Sequence, residues 1–157
     1  MMHARSRTAA GFTLLIAVLI SSVLLALGYA IYNIVAKNVV LSSSGRESQF
    51  AFYAADTGIE CVLHWDAKHD AFSSSSPLTQ ISCGSASSTL TRVLDPVLQT
   101  YTTTFSFSVD GPITNPCVDA TVVKQENPTR TTVESLGYNT CVTTNPRRIE
   151  RAIRVNY

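Results

Sequence analysis

Between Arg7 and Lys37 the chain carries no charged side chain, and the run from Phe12 to Ala36 is built of Leu, Ile, Val and Ala with a few small polar residues. At about 1.5 Å per helical residue this run spans roughly 37 Å, enough to cross a bilayer core of about 30 Å. A chain of 157 residues cannot bury such a helix on all sides. Only 15% of residues are charged, against roughly 25% in ordinary soluble domains, which fits one long uncharged segment beside an ordinary head. Arg5 and Arg7 precede the run, so the positive-inside rule predicts a cytoplasmic N-terminus and an outward-facing remainder from Lys37 onward. With Lys+Arg 12 against Asp+Glu 11, no global charge points to nucleic acid, and none is expected as a partner.

An ordinary secretory signal has an apolar core of about 7 to 15 residues followed by a small-x-small cleavage site. The stretch Ala26-Leu27-Gly28-Tyr29-Ala30 passes that test, but it lies inside the apolar run, and cleavage there would remove the anchor. The better boundary precedes the run, at Gly11-Phe12-Thr13-Leu14-Leu15. A Gly followed by Phe-Thr-Leu and a long apolar helix, behind a short basic leader, resembles the type IV prepilin cleavage motif. Further on, the segment from Gln49 to Glu60 resembles the aromatic-x-Ala-Ala-acidic-x-small-x-Glu signature of PilX-type minor pilins. Phe52, Ala54, Ala55, Asp56, Gly58 and Glu60 carry that second match. The K-type pseudopilins of type II secretion show a similar pattern.

The resemblance covers about the first 60 residues and implies cleavage by a prepilin peptidase between Gly11 and Phe12, with methylation of the Phe12 amine. Removing the leader takes Arg5 and Arg7 with it and turns the formal charge from +1 to −1. One position departs from the family pattern. Most pilins carry Glu as the fifth residue after cleavage, where it pairs with the N-terminal amine of a neighbouring subunit; here that residue is Ile16. A carboxylate in hydrocarbon costs a few kcal/mol unless paired, so its absence removes that docking contribution. Together with its similar absence in K-type pseudopilins and many PilX-type proteins, this points by resemblance to a minor, initiating or tip-proximal subunit.

Past the span the sequence stays helix-friendly to His69, with no proline before Pro77. Phe50, Ala54, Thr57, Cys61 and Trp65 recur at spacings of three and four, predicting a stripe that packs on a head. Gly45, behind Ser42-Ser43-Ser44, weakens the helix by about 1 kcal/mol and marks either a bend or a tolerated surface position. From Phe72 the Ser-rich stretch through Ser88 reads as a long polar connection, and Leu90, Val93, Leu94 and Leu98 as a short helix or strand. Four strands are then predicted: Tyr101 to Val109, around Val118 to Val122, Thr131 to Tyr138, and Ile149 to Tyr157. In the last of these Arg151 falls on the same face as Ile149, Ile153, Val155 and Tyr157, in conflict with an apolar face. The expected fold class is α+β: a long N-terminal transmembrane helix packed on a small antiparallel β-sheet head, which is the pilin architecture. Its expected parts are a leader (1–11), the span (12–36), a helical continuation (37–71) and a β-rich head (72–157) with its Ser-rich connection.

Cys61, Cys83, Cys117 and Cys141 all follow the span, and an even count in a small exported head argues for disulfides. Three connectivities are open. Pairing Cys61 with Cys83 and Cys117 with Cys141 is preferred, since each closes a loop of roughly 20 to 25 residues worth about 3 kcal/mol. A four-thiolate zinc site lacks the Cys-x-x-Cys spacing such sites use. His64, Asp66, His69 and Asp70 form the one metal-capable cluster, but His64 and His69 are five apart and share no helical face, so a solvated helix end is expected. Arg147, Arg148, Arg151 and Arg154 make a basic segment that reads as a charged edge strand, with contact to DNA or an anionic surface as the rival reading. No nucleophile elbow, zinc-protease or phosphate-loop motif is present, and neither catalysis nor a cofactor is expected.

The function expected by resemblance is assembly. The subunit waits in the cytoplasmic membrane, then joins a cell-surface filament or its tip through its helix, with other pilin-like subunits, the peptidase and an assembly platform as partners. Ala17, Ser21, Ser22 and Gly28 are small enough to allow close helix approach, or are ordinary span composition. The alternatives are a type II secretion pseudopilin, a non-polymerising membrane-anchored binding module, and an anchored hydrolase using His64 or His69.

Overall fold

The protein is described from a computed structural model, which covers residues 9–84, 86–111, 115–126 and 128–157. Residues 1–8 of the expected leader and Pro112, expected to close a strand, lie outside the described residues. One helix, α1 (Ala9–His69), is followed by seven strands: β1 (Gln80–Cys83), β2 (Ala86–Thr89), β3 (Thr91–Asp95), β4 (Thr100–Ser108), β5 (Cys117–Glu126), β6 (Thr129–Tyr138) and β7 (Glu150–Asn156). The chain divides into two units, Met1–Ser43 and Ser44–Tyr157.

The first unit is the N-terminal part of α1. It contains an 18-residue window of mean hydropathy 2.6 with none of it buried, long and apolar enough to cross a membrane. Three of its polar side chains bond to carbonyls of their own helix, a pairing that suits a hydrocarbon environment. Ser21 Oγ donates to Ala17 O at 2.7 Å, Ser22 Oγ to Leu19 O at 2.8 Å, and Asn33 Nδ2 to Tyr29 O at 3.0 Å. The helical backbone is uninterrupted through Ser42 to Gly45.

In the second unit α1 ends at His69, where Lys68 and His69 in the last turn suit the negative end of the helix dipole. Asp70 takes a left-handed φ of 47°, a conformation Asp tolerates better than most, and the Ala71 N–H donates to Trp65 O at 3.2 Å to close the turn. The buried face of this helix is Ala51, Ala54, Ala55, Gly58, Ile59 and Val62. The expected stripe holds in part: Ala54 is buried and Cys61 and Trp65 pack against the core, whereas Phe50 is exposed and Thr57 half-buried. The physical reason is that small residues let helix and sheet backbones approach, whereas the sequence reading followed the larger side chains.

The main sheet is an antiparallel meander in the order β3-β4-β5-β6-β7, in which each strand pairs with its neighbour in the chain. Strict alternation along β4 and β5 sends Phe105, Phe107, Val118, Ala120 and Val122 inward. Phe72 stacks on Phe105 and Phe105 on Phe107, with ring centroids 6.3 and 6.1 Å apart. The four predicted strands are all present. The Ser-rich connection, however, contains a two-stranded sheet of its own, β1 with β2, which the sequence reading missed. Ile81 and Cys83 are buried and alternate with exposed Gln80 and Ser82, and buried Ser88 donates to Ser106 O at 3.0 Å. Serine composition hid a period-two pattern only four residues long. The ambiguous stretch around Val93 is strand β3, held by Arg92, whose guanidinium donates to Ser73 O at 2.6 Å and stacks 4.2 Å over Tyr101.

Candidate functional site

The signature segment separates into two faces. Ala54, Ala55 and Gly58 are buried against the sheet. A Cβ on Gly58 would overlap Ser135 Oγ and Val118 Cγ1, and one on Gly137 would overlap Ala51 O and Ala55 N. Two glycines, one on the helix and one on β6, therefore set the contact distance from opposite sides. Gly137 was not singled out by sequence reasoning, although the inward alternation Val133, Ser135, Gly137 along β6 carries the signal. The other half of the signature points away from the sheet: Phe52 is 49% exposed, neighbouring Tyr53 64%, and Asp56 and Glu60 are exposed. Phe52, Asp56 and Glu60 recur every four residues, forming one solvent-facing stripe of an aromatic and two carboxylates. Thr57 is satisfied locally, donating to Tyr53 O at 2.8 Å.

Two clasps fix the end of the helix to the head. Cys61 and Cys83 form a disulfide with Cα atoms 5.8 Å apart, and Trp65 Nε1 donates to Ser82 O at 2.9 Å beside it, so β1 is tied to the helix twice. One turn on, Asp66 receives Lys124 Nζ of β5 at 2.6 Å and the Tyr157 hydroxyl at 2.8 Å, with its own side chain only 8% exposed. Burial, and then the hydrogen bond to Asp66, pushes the Tyr157 hydroxyl well above its ordinary range. Asp66 is thus a structural acceptor that joins three elements. His64 and His69, expected on different faces, bring their rings to 5.9 Å, and His69 also packs 4.7 Å from Trp65. Among the described residues no three His, Cys, Asp or Glu side chains are grouped to hold a metal ion. Beside this end, Asp70, Ser73 to Ser75, Tyr101, Lys124 and Glu126 border an open polar cleft of about 360 Å³.

At the opposite end of the sheet Cys117 and Cys141 stand as two thiols, so the second preferred bridge is not formed in this structure. They lie within hydrogen-bonding reach of each other, and Cys141 Sγ also donates to Asn115 O at 3.4 Å. Burial, reinforced by the Cys141 thiol, pushes Cys117 up to about 12.

The loop from Asn139 to Ile149 is strapped to the start of this unit. Asn139 Nδ2 donates to Glu47 Oε2 at 2.8 Å and to Arg147 O at 3.0 Å, and its Oδ1 accepts from Ile149 N at 2.7 Å. Arg148 stacks 3.5 Å over the Tyr138 ring and donates to Thr140 O at 3.3 Å. Arg151 pairs in register with Gly137, which places it on the inward face as the strand pattern required. The conflict resolves because β7 is the edge strand: the guanidinium passes beside the helix and donates to Ser48 Oγ at 2.9 Å.

At the N-terminus, the backbone at Gly11 and Phe12 is helical, and Phe12 and Ile16 are exposed. Comparisons with family models, with curated proteins and with solved structures find no significant match to this chain. The class these features define is an α+β head, with the helix packed on the sheet, that continues from an apolar helix long enough to span a bilayer.

Proposed function

We propose that the chain is a minor type IV pilin-like subunit that is processed by a prepilin peptidase, waits as a single-pass protein in the cytoplasmic membrane, and enters a filament or its tip through its N-terminal helix. The observation that carries this reading is the division of the signature segment. Its small residues seat the helix on the head, while Phe52, Asp56 and Glu60 remain exposed on the same helix and available to a neighbouring subunit. The uncharged run before it supplies the anchor, and in a filament it supplies apolar surface for packing against other helices. Gly11 and Phe12 are the processing residues in this proposal. The head would supply initiation, adhesion or cell contact.

The test is the mass of the protein and its peptides, taken without reduction after purification from its own envelope. The expected result is a chain beginning at N-methylated Phe12, with Cys61 and Cys83 disulfide-linked. A chain beginning at Met1 or Met2 in cells with a working peptidase would replace this proposal with a static membrane-anchored binding module. The type II secretion pseudopilin is the second reading within the class, and the absence of the usual Glu at Ile16 fits it as well as it fits a minor pilin. Growth of a surface filament that contains the chain decides against it.

A further inference from the structure

At the start of the second unit arginines from distant parts of the sequence gather around the helix. Arg46 lies on the helix ten residues past Ala36, the last residue of the uncharged run. Arg147 and Arg148 are in the loop strapped to Glu47 through Asn139, and Arg151 is held against Ser48. Arg46, Arg147 and Arg151 are exposed. Among the described residues none of the four makes an ion pair with a carboxylate. Of the nearby acids, Glu47 accepts from Asn139 and Glu150 from the Tyr138 hydroxyl, while Asp119 acts, as Arg148 does, on Cys117 and Tyr138. Arg46 lies over Phe50, Arg148 over Tyr138, and Arg151 donates to Ser48, contacts with uncharged groups that leave the guanidinium charge uncancelled and open to an external anion.

We infer that this arginine ring binds anionic phospholipid headgroups, docking the head on the membrane surface while the helix is anchored. Arginine forks match phosphate oxygens, and each cationic side chain close to an anionic membrane contributes about fivefold in surface affinity. The position in the chain favours lipid over a soluble polyanion, because Arg46 follows the uncharged run by only ten residues, a tether of at most roughly 36 Å in any conformation. The inference rests on the proposed membrane anchoring and adds to it a state in which lipid charge holds the head down before assembly.

The test uses the full chain in nanodiscs of phosphatidylcholine alone or with phosphatidylglycerol, reading hydrogen exchange across Asn139 to Arg154. Incorporation into the neutral discs checks the anchoring separately. The expected result is exchange slowed several-fold in the anionic discs, with the slowing lost in about 1 M salt, where the Debye length is about 3 Å. It is also expected to be lost in the triple variant Arg46→Gln, Arg147→Gln, Arg151→Gln, which keeps Arg148 on Tyr138 and whose fold is checked by the Cys61–Cys83 bridge and Trp65 fluorescence. Equal exchange in both kinds of disc would overturn the inference, as would slowing that survives the triple substitution or that follows a second copy of the chain regardless of lipid charge.

Discussion

Gly137 on β6 presses so closely on Ala55 of the helix that a single added carbon would overlap the Ala55 backbone nitrogen. The obstacle is backbone on both sides, so it cannot be relieved by a rotamer change. Gly137→Ala is therefore expected to destabilise the head by about 3 kcal/mol, the upper range for overpacking. Gly58→Ala meets only the Ser135 and Val118 side chains and is expected to cost less, about 1 to 2 kcal/mol. Urea unfolding of the full chain in detergent, followed by Trp65 fluorescence, measures both.

Ser135 is fully buried at the same contact, and its hydroxyl has no hydrogen-bond partner among the described residues. An unpaired buried hydroxyl costs roughly 1 to 3 kcal/mol. Ser135→Ala should raise the unfolding midpoint, by an equivalent of about 1 kcal/mol after the small void is counted, and should partly rescue Gly58→Ala. A lower midpoint would show that the hydroxyl is paired in solution.

Breaking the Cys61–Cys83 bridge, which closes a separation of 22 residues, should cost about 3 kcal/mol and free β1 first. Cys61→Ala combined with Cys83→Ala is expected to show faster hydrogen exchange across Gln80 to Thr89 than across β5 and β6.

Cys117 is held in its thiol form by burial, and the thiolate is the species that reacts. Alkylation of the native protein by iodoacetamide at pH 8 should run at least about tenfold slower at Cys117 than at an exposed cysteine, and the contrast should vanish in urea. Fast labelling in the folded state would contradict the packing around Asn115 and Cys141.

Tyr157 and Tyr138 both titrate higher in the folded chain than in the unfolded one, Tyr138 at about 12 because of burial and Glu150. The native state thus keeps a proton that the unfolded state releases near pH 10, so stability is full below that point and falls as pH rises past it. Melting temperatures measured from pH 8 to 12 should drop above about 10. Tyr157→Phe should flatten the drop while lowering stability at pH 8, through the lost bond to Asp66.

Much of this architecture was legible in the residues. The uncharged run needed only counting, and Phe105 and Phe107 announced β4 by strict alternation. Loop length pointed to Cys61 with Cys83, which are bridged, and equally to Cys117 with Cys141, which stand here as thiols. What escaped was carried by residues without distinctive chemistry. Ile81 and Cys83 are the only apolar positions of β1 and were submerged in serines, and Gly137 and Ala51 matter through the volume they lack. Of the arginine ring, Arg147, Arg148 and Arg151 were legible as a basic segment, but Arg46 was not, since it lies about a hundred positions away and is joined to them only because Arg151 reaches the helix at Ser48.

The placement of the disulfide also decides how the head bears mechanical load. The helix touches the head from Glu47 and Ser48, at Asn139 and Arg151, through Ala51, at Gly137, to Asp66, at Lys124 and Tyr157. Tension drawing α1 out by its N-terminus meets the Asn139 and Arg151 hydrogen bonds first, then the Gly137 contact, and would peel them open one turn at a time. The covalent link at Cys61 lies near the far end of that contact, so the peel halts there and the force passes into β1 through a bond that does not yield. A head fastened in this way can be dragged by its helix without being left behind.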